Sequence, residues 1–268
     1  MRIEESITPG MILIDCSNCG KMFEIDDFRG ESFEDDIRSL LEKNRPCPDC
    51  TEAQQQEEEQ REQAERKNER LAKLPELLDR AGIDYFYCHD RASGQLFIEP
   101  PVRFVAEWIY RHRRENLLIS GATGSGKTTS ACFVAMKLIE TGRKIRYTTL
   151  RRLLADWREA KTSDHDHAAE NMLRGIFGRD IVVIDEIVGK ARISESGQEL
   201  LFEIMESVNS GACRAKIWLL GNFYTGSIED IFNEPEPVRR RLQENFTCVV
   251  IDKARQTVTP ITVWQPEQ

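Results

Sequence analysis

Residues Gly121-Ala122-Thr123-Gly124-Ser125-Gly126-Lys127-Thr128 follow the pattern G-x-x-x-x-G-K-[ST], and their types define what such a segment can hold. Glycines let backbone N–H groups wrap a phosphate without Cβ clashes, and a helix opening at the end of the loop adds the positive end of its dipole. Lys127 is placed to reach the β- and γ-phosphates of ATP and Thr128 to ligate Mg2+, with Thr129 next to them in the same binding set. Downstream, Ile181-Val182-Val183-Ile184-Asp185-Glu186 is a run of four β-branched apolar residues closed by two carboxylates. A central strand would carry those carboxylates to the sheet edge where the phosphate loop opens. There Asp185 would hold magnesium through water and Glu186 would polarise the attacking water, which favours hydrolysis over kinase-type transfer.

A second chemistry resides in the cysteines. Cys16, Cys19, Cys47 and Cys50 form two C-x2-C pairs, whereas Cys88, Cys132, Cys213 and Cys248 are single and read as packing residues. In a reducing compartment two such pairs favour a metal over disulfides. Zn2+ fits because four thiolates surround it tetrahedrally, and Gly20 directly after Cys19 permits the tight turn of a zinc knuckle. Thioredoxin-like redox chemistry would need one pair after a strand in a βαβ unit, and that context is missing.

These residues need elements to position them. Strands are expected at 115–120, 144–149, 181–185, 216–220 and 247–251, and helices at Lys127 to Glu140 and at about 151–160, 167–177, 196–209 and 236–244. Pro100-Pro101 opens a further helix carrying Val102, Val105, Trp108 and Ile109 on one side. Five parallel-type strands separated by helices imply an α/β fold with a mostly parallel sheet. Ile217 to Asn222 is an apolar strand ending in an amide, and Arg239-Arg240-Arg241 lie in the helical stretch after it.

The charge is unevenly spread. Residues 1–80 hold 12 Lys+Arg and 21 Asp+Glu, and residues 81–268 hold 25 of each, so the whole net charge of −9 sits in the first third. Within it, residues 51–70 are rich in Glu and lack Gly and Pro; Glu57–Arg61 and Glu62–Arg66 make i,i+4 pairs, but no apolar stripe runs along them. That composition fits a semi-rigid spacer. The expected organisation is a zinc module over 1–50, a charged helical linker over 51–80 and a nucleotide-binding core over 81–268. With no apolar run of membrane-spanning length and a poor secretory N-terminus, a soluble cytoplasmic location is expected, without membrane contact.

The phosphate loop, Ile181–Glu186, Leu219–Asn222 and the arginines before Leu242 together resemble the AAA+ ATPases of the DnaC/IstB group, which load replicative helicases or assist transposition. The resemblance covers about residues 81–252, and a cysteine-bearing N-terminal module is also familiar from DnaI-like loaders. It implies a P-loop AAA+ core, with Asn222 on a strand between the carboxylate strand and the phosphate-loop strand, helping to position the water. It implies a homo-oligomer in which one of Arg239, Arg240 and Arg241 reaches the neighbouring subunit's γ-phosphate. It also implies single-stranded DNA held by an insert at 150–179, with Arg151, Arg152, Arg158, Lys161 and Arg174 available for phosphates. The contiguous arginines depart from the separated pairs usual in the group, and too few residues follow Asn222 for a full helical lid. The first expectation is an ATP hydrolase loading a replicative helicase onto single-stranded DNA. The alternative is an IstB-like regulatory ATPase that assembles on DNA and recruits a transposase.

Overall fold

The computed structural model describes residues 4–5, 12–25, 46–163, 167–187, 193–222 and 235–260. Contacts divide the chain into two units, Met1–Glu69 and Arg70–Gln268. In the first, β1 (Glu4–Glu5), β2 (Ile12–Asp15) and β3 (Met22–Ile25) form an antiparallel sheet. Helix α1 (Pro48–Ala72) starts there with Pro48 in its first turn, where a missing N–H costs nothing. No residue of α1 is buried. It is a solvated helix held by pairs such as Arg66–Glu62 (3.0 Å); Arg61 pairs with Glu58 and Glu65 rather than with Glu57.

The second unit opens with α2 (Leu74–Ala81), α3 (Tyr85–Cys88) and α4 (Arg103–Arg111). Residues 74–80, expected as the end of the linker over 51–80, belong to α2, whose Leu74, Leu78 and Ala81 recur at helical spacing and are all buried. The elements then alternate: β4 (Leu117–Gly121), α5 (Lys127–Glu140), β5 (Ile145–Thr149), α6 (Leu150–Thr162), α7 (Ala168–Phe177), β6 (Ile181–Asp185), α8 (Glu195–Asn209), β7 (Lys216–Gly221), α9 (Pro235–Asn245), β8 (Thr247–Asp252) and β9 (Thr257–Pro260).

The sheet order is β5-β6-β7-β4-β8-β9. Its first five strands are parallel, as expected, and β7 separates β4 from β6, the arrangement the AAA+ resemblance implies. The sixth strand was not expected: β9 pairs antiparallel with β8 after a turn in which Asp252 accepts the N–H groups of Ala254 and Arg255. Every residue of β4 and β6 is buried, since helices cover both faces of a parallel sheet. One face packs Ile119, Val183 and Trp218 against α2, α4 and α5; the other packs Leu118, Ile184 and Leu219 against α6, α8 and Leu242 of α9.

Candidate functional site

Parallel strands all end at one edge, and the site forms there. The loop after β4 runs into α5, so Gly121 to Thr128 curl around the helix N-terminus. Gly126 has φ +90°, and a Cβ on it would lie 2.3 Å from Val102 Cγ2, so only glycine allows this close approach. Lys127 is buried; its ammonium donates to the carbonyls of Gly121 (2.7 Å) and Ala122 (3.0 Å) and to Ser125 Oγ (3.3 Å). Desolvation lowers its pKa and the negative charge of Asp185 opposes that. A phosphate in the loop would add the counter-charge that burial denies it.

Asp185 ends β6 and is 5% exposed. Its Oδ2 accepts the Thr128 hydroxyl at 2.6 Å, and its Oδ1 accepts the Glu186 N–H at 2.7 Å. Glu186 sits in the left-handed region (φ 57°), which costs a non-glycine residue roughly 1 kcal/mol. The bond to Asp185 Oδ1 and the Ile187 N–H donated to Leu220 (3.1 Å) hold the chain there. Asn222 Nδ2 donates to Thr123 Oγ1 (3.3 Å), bringing the amide after β7 onto the phosphate loop. These side chains line a cleft of about 390 Å3 bounded by Tyr87, Val102, Thr123, Gly124, Gly126, Lys127, Thr128, Thr129, Asp185, Glu186, Gly221 and Asn222. The hard oxygen set of Thr128 and Asp185 beside a phosphate loop fits Mg2+.

The three arginines of α9 separate. Arg241 donates to Glu206 (2.7 Å) and lies over the Phe202 ring at 4.4 Å. Arg240 is exposed and pairs with Glu244 one turn on (3.3 Å), whereas the side chain of Arg239 lies outside the described residues. The basic residues of 150–179 differ in their partners. Arg158 donates to Ser194 and Lys161 to Glu199, while Arg151, Arg152 and Arg174 are exposed, with no ion pair among the described residues. Contributors that escaped sequence reading include Tyr87, Val102 and Lys253, whose ammonium donates to the Gly124 carbonyl (3.0 Å). Pairing of β8 beside β4 brings Lys253 there, a register no local motif signals.

In the first unit the sulfurs of Cys16, Cys19, Cys47 and Cys50 all lie within 4.8 Å of one another, with Cys19 and Cys47 at 3.8 Å. Four sulfurs about 2.3 Å from a tetrahedral zinc would stand about 3.8 Å apart, so the cluster fits that ion. Burial raises the pKa of Cys16, but N–H groups of Cys47 (3.1 Å), Cys19 and Asn18 pointing at its sulfur outweigh this and bring it to about 6. Such donors favour a thiolate.

The family model described as IstB-like ATP binding protein matches residues 51–213, more than half of the chain. The chain belongs to the IstB-like ATP-binding family. Among IstB-like relatives, a putative ATP-binding protein of insertion sequence IS5376 from Geobacillus stearothermophilus is 29% identical over 52% of this chain and 53% of its own. That of IS1162 from Pseudomonas fluorescens is 28% identical over 44% and 49%. The chain thus spans about half the length of the curated relatives it matches. The DnaC helicase loader structure superposes with a TM-score of 0.47 at 15% identity, covering 63% of this chain and 98% of that one. This IstB-like chain combines a phosphate-loop core on a mostly parallel sheet with an N-terminal four-cysteine cluster. Among the described residues no helix is long and apolar enough to cross a membrane.

Proposed function

We propose that the chain is an ATP-hydrolysing accessory protein of an insertion sequence, which assembles on DNA with ATP and recruits the element's transposase. The observation that carries the hydrolytic part is the Thr128–Asp185 contact with Glu186 beside it on one cleft. Thr128 and Asp185 would hold Mg2+, which would neutralise phosphate charge, and Glu186 would take the proton of the attacking water. Family membership and relatives named for insertion sequences favour transposition over helicase loading, the reading placed first on sequence alone.

Subunits would associate through ATP. Arg240 would act on a neighbour's γ-phosphate, a role supported by its exposure and solvated pair with Glu244, whereas Arg241 is half-buried against Glu206. Single-stranded DNA would contact Arg151, Arg152 and Arg174, and zinc would hold Cys16, Cys19, Cys47 and Cys50 as a docking module for the protein partner. The test is capture from cells carrying the element, using Glu186→Gln protein loaded with ATP on single-stranded DNA. Co-purification of the transposase is expected; a hexameric replicative helicase in its place would overturn the reading in favour of helicase loading.

A further inference from the structure

Asp185 has a third donor that the phosphate-loop motif does not include. The hydroxyl of Tyr147, on β5, donates to Asp185 Oδ2 at 3.0 Å, the same oxygen that accepts from Thr128. Register explains the meeting. Tyr147 stands opposite Val183 in the β5–β6 ladder, and Asp185 is the next residue on that face of β6, within diagonal reach of a long side chain. Tyr147 is 6% exposed, and Tyr87 from α3 packs on it with ring centroids 5.7 Å apart. Gly82, at the end of α2, approaches the Tyr147 carbonyl so closely that a Cβ would lie 2.5 Å from it. A phenol is an O–H donor at neutral pH, and the Asp185 carboxylate oxygen accepts it.

We propose that Tyr147 is a positioning residue for the magnesium site, holding Asp185 Oδ2 where it accepts the Thr128 O–H and so leaves the Thr128 lone pairs free for the cation. The proposal rests on the reading of this cleft as a Mg2+–ATP site. A carboxylate torsion is broad, and the Glu186 N–H holds only Oδ1, so each further donor narrows the position of Oδ2. Two donors from separate elements, β5 and α5, hold it. A phenylalanine at 147 would fill the same space without that restraint.

The test measures binding of a fluorescent ATP analogue to the full chain while Mg2+ is titrated from an EDTA baseline, in wild type and Tyr147→Phe. The expected result is unchanged binding in EDTA and a roughly tenfold higher Mg2+ requirement for the variant, the scale of losing a partner behind a metal ligand. In the Asp185→Asn background, Tyr147→Phe should shift the Mg2+ requirement no further. An unchanged Mg2+ requirement, or an equal loss with and without Mg2+, overturns the proposal. Should Tyr147→Phe fail to fold, 3-fluorotyrosine at 147 replaces it, a stronger donor expected to lower the Mg2+ requirement; no change would overturn the proposal. If wild type itself binds indifferently to Mg2+, the reading of the cleft falls and the proposal with it.

Discussion

The two units of this chain differ in what their described residues bury. Within Arg70–Gln268, strands buried on both faces carry residues such as Ile119, Val183 and Trp218 at 0% exposure, an ordinary hydrophobic core. Within Met1–Glu69 the buried apolar residues among the described ones are Cys16 and Cys47, and the helix that follows buries nothing. Where the described residues bury so little, the four convergent thiols offer another source of stability. The expectation is that the larger unit folds by excluding water and the smaller by binding an ion. The two halves should then fail separately.

The largest effect should come from the ion. Purified protein should carry about one zinc per chain, and Cys47→Ser or a strong chelator should release it, removing binding energy of roughly 10–16 kcal/mol. Amide exchange at 12–25 should then lose its protection while ATP affinity stays within about twofold. Metal-free protein with full protection at 12–25 would break the comparison.

A smaller effect is expected from the opposite experiment. Trp218→Ala should destabilise the nucleotide unit by about 3–5 kcal/mol and lower its melting temperature by roughly 10 °C, with zinc content unchanged. Loss of zinc in parallel would mean that the units fold as one.

Legibility in the sequence differed in the same way. The bounds of β6 and α5 were readable because an uninterrupted apolar run and a motif-anchored helix announce themselves locally. Strand β9 was not, being four mostly exposed residues ending in Pro260. Residues 74–80 were grouped with the charged linker although Leu74 and Leu78 already marked a helix stripe. The phosphate loop, Asp185, Glu186 and the four cysteines could be named from spacing, which is a local property. Tyr87, Tyr147 and Lys253 could not, because strand register and helix packing bring them to the site. The arginine triplet could be seen but not sorted until Glu206 and Phe202 of α8 were found beside Arg241.

That sorting supplies the smallest expected changes in stability. Arg241 is 19% exposed, so Arg241→Ala should cost about 1 kcal/mol in thermal or denaturant unfolding. Arg240→Ala should change stability by less than about 0.5 kcal/mol, since its pair with Glu244 is solvated. Turnover should rank them the other way. Arg240→Ala should slow it, and mixing with Lys127→Ala protein should restore part of it, each subunit supplying what the other lacks. If Arg241→Ala were the variant rescued by mixing, the assignment of the two arginines would be reversed.

The central claim is that this cleft hydrolyses ATP with Glu186 as the base. Its most direct test is ATP binding and turnover measured side by side on wild type and Glu186→Gln. The account predicts equal affinity and a turnover at least about 100-fold slower in the variant. Hydrolysis by Glu186→Gln at the wild-type rate would contradict it.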